Sequence, residues 1–313
     1  MNLNTYLQMD NDDKFEYFMK TRFATNRTPS YWVNWQNVTS HIKEYELNLN
    51  TLNYLVGKTN IKELAQQLFQ QQPQLLKTVP ILLASRDSKM DVLVLEKDNT
   101  MYTHNIDFSH PDLEKMDLYL DFMEDTGLLE FLSHELKESL VDYVFGVQVG
   151  LDTNGRKNRG GIQNEKILDN NLQTIVAHNS NLKAMTQATA NSIKNSWQIE
   201  VPEVLQKGKA GGRRYDGAVY NAQQHSVTII ETNFYGSGGS KLKSVAGEFS
   251  SIYETSLKSA PNVKFTWISD GPGWNTAKNP LREAFDVIPT IINLHMVKQG
   301  MLEEIILANK NQL

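Results

Sequence analysis

Two short segments rich in β-branched and aromatic residues constrain the fold of this chain most strongly, RRYDGAVY at 213–220 and SVTIIETNF at 226–234. Only NAQQH separates them, which is typical of a β-hairpin. A third such segment, NVKFTWISD at 262–270, follows an amphipathic stretch between residues 242 and 253 whose apolar positions recur at helical spacing. Strand, strand, helix and strand in this order predict an α/β fold with a mixed sheet flanked by helices.

Helical periodicity dominates the rest of the chain. We expect a mainly helical N-terminal region over residues 1–145, with one hairpin whose turn is at Lys97 to Thr100, and an α/β core over residues 146–313. The glycine-rich and basic stretch GLDTNGRKNRGG predicts a loop near residues 146–161. The tail at 281–307 has helical periodicity throughout.

The helix predicted after that loop carries a candidate functional residue. Leu168, Leu172, Ile175 and Val176 form an apolar stripe. Glu165 lies three residues before Leu168, so we expect its carboxylate to point inward on the same face.

Composition excludes several classes of protein. The absence of cysteine excludes disulfides, thiolate catalysis and cysteine-ligated zinc. No apolar run is long enough to span a membrane, and the N-terminus lacks the layout of a secretory signal, so we expect a cytoplasmic protein without a membrane partner. With a net charge of −5, nucleic-acid binding would depend on local basic clusters.

The hairpin predicts the site of chemistry. If Tyr220 pairs with Val227, the antiparallel register places Asp216 opposite Glu231, and the alternation of side chains puts Asn233 on the same face as Glu231. Opposed carboxylates repel each other unless a cation lies between them, and Mg²⁺ is commonly held by one or two carboxylates together with a substrate phosphate. The pattern therefore favours metal-assisted phosphodiester hydrolysis, with Glu165 completing the metal shell or holding a water.

Basic residues flank these acids in the sequence. One cluster precedes the Glu165 helix, a second leads into Asp216, and two lysines begin the helix after Glu231. These cations are Arg156, Lys157 and Arg159; Lys207, Lys209, Arg213 and Arg214; and Lys241 and Lys243. Cations around an acidic pocket are arranged to bind a phosphate backbone.

These residues resemble a known family. RYDGAVY followed by ETN is similar to the PD-(D/E)xK nuclease motif. Together with NLNTLNYLVGK, GLDTNGRKNRGG, IETNFYGSGGSKL and WISDGPGWNTAKNPL it resembles the DpnII/MboI family of type II restriction endonucleases over most of residues 46–285. The resemblance implies a PD-(D/E)xK core and Mg²⁺-dependent cleavage of double-stranded DNA at unmethylated GATC sites, 5′ of the G. It also implies a cognate adenine methyltransferase, while the two-fold symmetry of a palindromic site favours a homodimer.

One position departs from the superfamily motif. The lysine expected two residues after Glu231 is Asn233. Either Asn233 orients the attacking water, with Lys241 on a phosphate, or Lys241 or Lys243 reaches the site from the following loop. Two rival functions stay open: a non-catalytic DNA-binding protein, and a repair or junction nuclease with the same core.

Overall fold

A computed structural model of the chain describes residues 1–95, 100–202 and 212–313. The chain forms two compact units. The sheet unit comprises Met1–Thr28 and Lys157–Leu313, and the helical unit comprises Pro29–Arg156. The sequence predicts an N-terminal region over residues 1–145 and a core over residues 146–313. In the structure, the first 28 residues pack with the C-terminal part of the chain.

The strands form two separate sheets. A two-stranded antiparallel sheet, β1–β2, belongs to the helical unit, and a five-stranded sheet in the order β3-β4-β5-β6-β7 belongs to the sheet unit. The β3–β4 and β4–β5 pairs are antiparallel, and the β5–β6 and β6–β7 pairs are parallel. The strands are β1 (Lys89–Leu95), β2 (Met101–Asp107), β3 (Leu182–Thr189), β4 (Arg214–Asn221), β5 (Ser226–Phe234), β6 (Val263–Asp270) and β7 (Ile291–Ile292).

Helices account for most of the remaining regular structure. They are α1 (Leu3–Gln8), α2 (Asn11–Thr21), α3 (Trp35–Leu52), α4 (Ile61–Gln71), α5 (Val79–Leu82), α6 (Met116–Asp125), α7 (Leu128–Glu130), α8 (Leu140–Asn154), α9 (Arg156–His178), α10 (Ala190–Trp197), α11 (Ser240–Ile252), α12 (Lys278–Phe285), α13 (Leu294–Lys298) and α14 (Met301–Leu307). No helix in the described ranges is long and apolar enough to cross a membrane.

The α/β class predicted from the sequence is confirmed. The expected hairpin is β4–β5, the expected third strand is β6, and the expected helix between them is α11. The mainly helical N-terminal region and its β1–β2 hairpin are also present. The turn residues assigned to that hairpin, Lys97 to Asn99, lie outside the described residues.

Helices α9 and α11 pack against the central strands. A Cβ atom on Gly217 of β4 would lie 3.1 Å from Leu172 and 3.2 Å from Leu168, so α9 approaches this strand closely. Near α11, the ring of Phe249 meets the ring of Trp267 edge to face, with 5.1 Å between centroids. The middle of the sheet is therefore buried on both faces, and β5 and β6 are buried along almost their whole length.

The N-terminal helices complete this core. Phe18 of α2 is fully buried, and the hydroxyl of Tyr6 in α1 donates to the carbonyl of Ile291 in β7 at 2.7 Å. The carboxylate of Asp270, at the end of β6, accepts hydrogen bonds from the backbone N–H groups of Phe23 and Leu294. Residues at both ends of the sequence are thus fixed to the sheet.

The helical unit has a core of its own. Apolar side chains from α3, α4, α6 and α8 pack around a buried cluster that includes Leu49, Phe69, Tyr119, Leu132 and Val144. The β1–β2 hairpin lies in this unit, with Leu93 and Leu95 exposed.

Two expectations about secondary structure were wrong. Residues 146–161 form the end of α8 and the start of α9, joined by Gly155, rather than a loop. In α8, a buried face that includes Val144, Gln148 and Asp152 accompanies the helix, although each glycine costs about 1 kcal/mol relative to alanine. The tail at 281–307 is also not one helix, because β7 interrupts it and Gly300, at φ 90°, separates α13 from α14.

Candidate active site

The β4–β5 hairpin brings two carboxylates together at one end of the sheet. Tyr220 pairs with Val227, as the sequence analysis required, and the ladder ends at the Gly217–Ile230 pair. The same register makes Asp216 and Glu231 the next opposed residues, and their carboxyl groups interact directly. Oδ2 of Asp216 accepts a hydrogen bond from the backbone N–H of Thr232 at 2.8 Å, which fixes its side chain against β5.

Glu231 is held from the other side by a buried arginine. Arg213 Nε lies 2.7 Å from Glu231 Oε1, and both side chains are only 7% exposed. A second guanidinium nitrogen of Arg213 pairs with Glu248 of α11, and the guanidinium lies 5.1 Å from the centroid of the Phe249 ring. The sequence predicts a DNA contact for Arg213, whereas its guanidinium is paired with two carboxylates of the protein itself, Glu231 and Glu248.

Burial raises the pKa of both opposed carboxyl groups. For Glu231 the pKa is well above its usual range because burial disfavours the charged form and Asp216 adds repulsion, although Arg213 acts in the opposite direction. Burial also raises the pKa of Asp216. The hydrogen bonds from the Thr232 N–H and with Glu231, and the charge of Arg213, lower it by a smaller amount. Both carboxyl groups therefore hold their protons more tightly than exposed carboxyl groups do. A cation bound between them would relieve the repulsion between the two carboxylates.

Glu165 lies close to this pair but not where the sequence placed it. Partial burial of its carboxyl group, together with the charge of Asp216, raises its pKa. The residue is nevertheless exposed, so the expectation of an inward carboxylate was wrong. Asn164 takes the inward position, four residues before Leu168, and its amide nitrogen donates to Thr232 Oγ1 at 2.6 Å. Sequence reasoning missed Asn164 because it had followed the three-residue rather than the four-residue spacing.

Gln187 on β3 is a second residue that sequence reasoning missed. The β3–β4 ladder runs through Thr186–Gly217 and Ala188–Tyr215 but omits the step between them, where Gln187 would pair with Asp216. The backbone of Gln187 has a left-handed conformation at this point, with φ 52°. Its side-chain amide donates a hydrogen bond to Glu165 Oε2 at 3.2 Å. Such backbone conformations in non-glycine residues concentrate at functional sites.

Asn233 lies on the Glu231 face of β5 and is partly buried. Its Oδ1 atom accepts hydrogen bonds from Ser269 Oγ at 2.8 Å and from Trp267 Nε1 at 3.1 Å, both on β6. The side chain that stands at the usual lysine position is thus held by the neighbouring strand.

The predicted DNA-binding cations occupy different environments. Lys241 and Lys243, in the first turn of α11, and Arg214, at the start of β4, are exposed. Arg156 is half-buried at the start of α9, where its Nε donates to the carbonyl of Trp32 at 3.1 Å. Arg159 is half-buried in α9. Lys207, Lys209 and the side chain of Lys157 lie outside what the structure describes.

Asp216 and Glu231 are the candidate ligands for a metal ion. Across residues 1–95, 100–202 and 212–313, no three or more His, Cys, Asp or Glu side chains are arranged to hold a metal by themselves. The opposed pair of Asp216 and Glu231 nevertheless fits Mg²⁺, which proteins usually bind through one or two carboxylates while water and substrate phosphate supply the other ligands.

Comparisons with known proteins identify the family of this chain. The model of the DpnII restriction endonuclease family matches residues 14–304. The type II restriction enzyme LlaDCHI of Lactococcus lactis subsp. cremoris is 45% identical over 305 residues, covering 97% of this chain and 98% of that protein. MjaIII of Methanocaldococcus jannaschii is 41% identical, over 93% of this chain and 99% of its own length. DpnII of Streptococcus pneumoniae is 33% identical, with coverages of 93% and 98%. The chain therefore belongs to the DpnII family of type II restriction endonucleases.

Proposed function

We propose that this protein cleaves double-stranded DNA at unmethylated GATC sites, 5′ of the G, in a Mg²⁺-dependent reaction, and that its core is of the PD-(D/E)xK type. The sequence preference and the position of the cut rest on the resemblance to the DpnII/MboI family. The chemistry rests on one observation, the opposition of Asp216 and Glu231 at the end of the central hairpin.

Asp216 and Glu231 would hold Mg²⁺. The ion would lower the pKa of a bound water and polarise the scissile phosphoryl group. The chain itself fixes the carboxylates, because the Thr232 N–H orients Asp216 and the guanidinium of Arg213 orients Glu231. Asn233 positions the attacking water from the same face, and Glu165 supports the site from α9 beside Asp216.

The exposed cations would bind the DNA backbone. Lys241 and Lys243 lie in the first turn of a 13-residue helix, where the helix dipole and free N–H groups also favour an anion. Lys241 is the cation that we assign to a phosphate near the scissile bond, and Arg214 is exposed on the strand that carries Asp216. The basic residues Arg156, Lys157 and Arg159 would contribute at the start of α9.

The proposal extends to the protein's partners. A palindromic site is matched by two-fold protein symmetry, so we expect a homodimer on DNA. A cognate adenine methyltransferase would protect the host's own sites. Both proteins would act in the cytoplasm, where the DNA is.

Cleavage of defined DNA tests this proposal. The protein is incubated with Mg²⁺ and either unmethylated phage DNA or the same DNA methylated at the adenine of GATC, and the fragment ends are sequenced. We expect cuts 5′ of the G in unmethylated DNA alone. Asp216→Ala and Glu231→Gln should abolish cutting, whereas the matched control Glu254→Ala, at an exposed carboxylate of the same unit, should cut like the wild type.

Other results would support a rival function. Cuts that follow branch points rather than sequence would support a junction nuclease. DNA that is bound but left intact would support a non-catalytic binding protein. Cutting that survives Asp216→Ala would remove this residue from the site.

A further inference from the structure

The side chain of Asn233 has its amide orientation fixed by its neighbours on β6. In the parallel β5–β6 pairing, Glu231 stands beside Trp267 and Asn233 stands beside Ser269. An indole nitrogen can only donate a hydrogen bond. Since Trp267 Nε1 lies 3.1 Å from the Asn233 amide, the atom facing it must be the carbonyl oxygen Oδ1.

A second tryptophan fixes the direction of the bond from Ser269. Trp274 Nε1 donates to Ser269 Oγ at 2.9 Å, which leaves the serine hydroxyl hydrogen free to be donated. Ser269 Oγ lies 2.8 Å from Asn233 Oδ1, so it donates there. Oδ1 therefore accepts two hydrogen bonds, and the amide nitrogen Nδ2, which donates to no described residue, is the atom left for a ligand.

The network is rigid because its supporting residues are completely buried. Trp267, Ser269 and Trp274 all have 0% exposure. The two indole rings meet edge to face at 5.7 Å. The DGPGW turn after β6 brings Trp274 back beneath Ser269, and Gly273 N donates to the carbonyl of Tyr235 at 2.8 Å, which anchors the turn to the chain after β5.

We propose that Trp267 and Ser269 are positioning residues that present the NH₂ group of Asn233 as a hydrogen-bond donor beside the carboxylate pair, and that Trp274 holds Ser269 in that role. The inference rests on the proposed nuclease function and deepens it. An amide nitrogen is not basic and the amide oxygen is already occupied, so Asn233 does not accept a proton. It donates to an oxygen of the attacking water or of the scissile phosphate, as a lysine would, but without the positive charge.

Substitutions at Asn233 separate the donor from the acceptor. Asn233→Asp keeps an oxygen for Trp267 and Ser269 and has nearly the same shape, but it replaces the NH₂ donor with a second oxygen. We expect the single-turnover cleavage rate of this variant, like that of Asn233→Ala, to fall by about 100-fold or more, as when a preorganised donor is removed from a transition state. DNA affinity, measured with Ca²⁺ in place of Mg²⁺, should change by less than about threefold for Asn233→Ala.

Substitutions on β6 test the positioning role. Ser269→Ala and Trp267→Phe each remove one donor to Oδ1, and we expect the cleavage rate to fall about tenfold for each. In an Asn233→Ala background the same changes should have little further effect, because the amide that they orient is gone. Thr266→Val is the matched control: Thr266 lies on the same strand, is also fully buried, and has a hydroxyl without a hydrogen-bond partner in the described structure, so cleavage should not change.

A measurement that does not depend on cleavage completes the test. The chain has five tryptophans, so the indole N–H signals of ¹⁵N-tryptophan-labelled protein can be assigned by substitution. Asn233→Ala should shift the Trp267 signal, and Ser269→Ala should shift those of both Trp267 and Trp274. An unmoved Trp267 signal in Asn233→Ala would overturn the inference, as would normal cleavage by Asn233→Asp or additive losses for Ser269→Ala and Asn233→Ala. A wild-type protein that cuts no DNA would instead overturn the proposed function, and the indole signals would still decide whether the amide is held.

Discussion

Arg213 Nε lies 2.7 Å from Glu231 Oε1, and both side chains are almost completely buried. Removing one member of a buried ion pair leaves the other charge without compensation, which costs about 3–5 kcal/mol. We expect Arg213→Met to lower the free energy of unfolding by about 3 kcal/mol in urea denaturation at neutral pH. It should also raise the pKa of Glu231 further, because Arg213 acts to lower it.

Arg282→Met provides the comparison for that measurement. Arg282 forms ion pairs with Asp12 and Asp286, whose side chains are 80% and 54% exposed. Surface pairs contribute little, so we expect a change of less than about 1 kcal/mol. Equal losses for Arg213→Met and Arg282→Met would show that the buried pair adds no more stability than a surface pair.

The Asp216 carboxylate should impose a cost on stability. Asp216→Asn keeps an oxygen for the Thr232 N–H but removes a buried charge that opposes Glu231. We expect the free energy of unfolding at pH 7 to rise by about 1 kcal/mol while cleavage is lost, a trade-off common at active sites. Glu254→Gln, at an exposed carboxylate, should change stability by less than about 0.5 kcal/mol. A clearly less stable Asp216→Asn protein would contradict this account.

Two glycines should respond to alanine in opposite directions. A Cβ atom on Gly273 would lie 2.5 Å from the carbonyl oxygen of Ser237, so Gly273→Ala forces two backbone segments apart. We expect a loss of about 2 kcal/mol or more. Gly247 lies within α11 with nothing near its Cβ position, so Gly247→Ala should add about 0.5–1 kcal/mol. Thermal and urea denaturation of both variants would check the contrast, and a tolerated Gly273→Ala would show that the DGPGW turn has room to move.

Asp270 should make stability depend on pH between about 4 and 6. Burial raises its pKa from 3.8 to about 6. The folded state therefore holds a proton that the unfolded state has released, so the free energy of unfolding falls as the pH rises through this window. The full shift of roughly 2 pKa units corresponds to at most about 3 kcal/mol.

Asp270→Asn isolates this contribution from other carboxyl groups. The free energy of unfolding is measured for wild type and variant at pH 4, 5, 6 and 7. Relative to the variant, the wild type should lose stability as the pH rises from 4 to 6 and then level off. A constant difference would mean that Asp270 has an ordinary pKa, with its three backbone donors offsetting burial.

The sequence predicted the central hairpin well because its information is local. A five-residue connection and a period of two determine the register, and the Tyr220–Val227 pair then places Asp216 opposite Glu231. Contacts between residues far apart in the sequence leave no such local pattern. A charged residue before a strand, such as Arg213, is typical of both a phosphate contact and a buried ion pair, and only the packing of α11 distinguishes them.

Other features of the fold could not be predicted from the spacing of apolar residues, each for a physical reason. Strand β7 has two residues, too few to show a period. Gln187 adopts a left-handed conformation that its type does not indicate. At the start of α9, Gly160 and Gly161 indicate a loop, yet both residues lie within the helix. On the same helix, the apolar spacing predicted that Glu165 points inward, whereas the buried residue is Asn164, one position earlier.

The pairing of α1 and α2 with the sheet has a consequence for how the chain is made. Met1–Thr28 is synthesised long before its partners in the sheet, because Tyr6 hydrogen-bonds to Ile291 and Phe23 hydrogen-bonds to Asp270. Pro29–Arg156 has a separate core and can fold during translation. The five-stranded sheet cannot be completed until β7 has been synthesised, so a chain that stops before β7 has no complete sheet around Asp216 and Glu231.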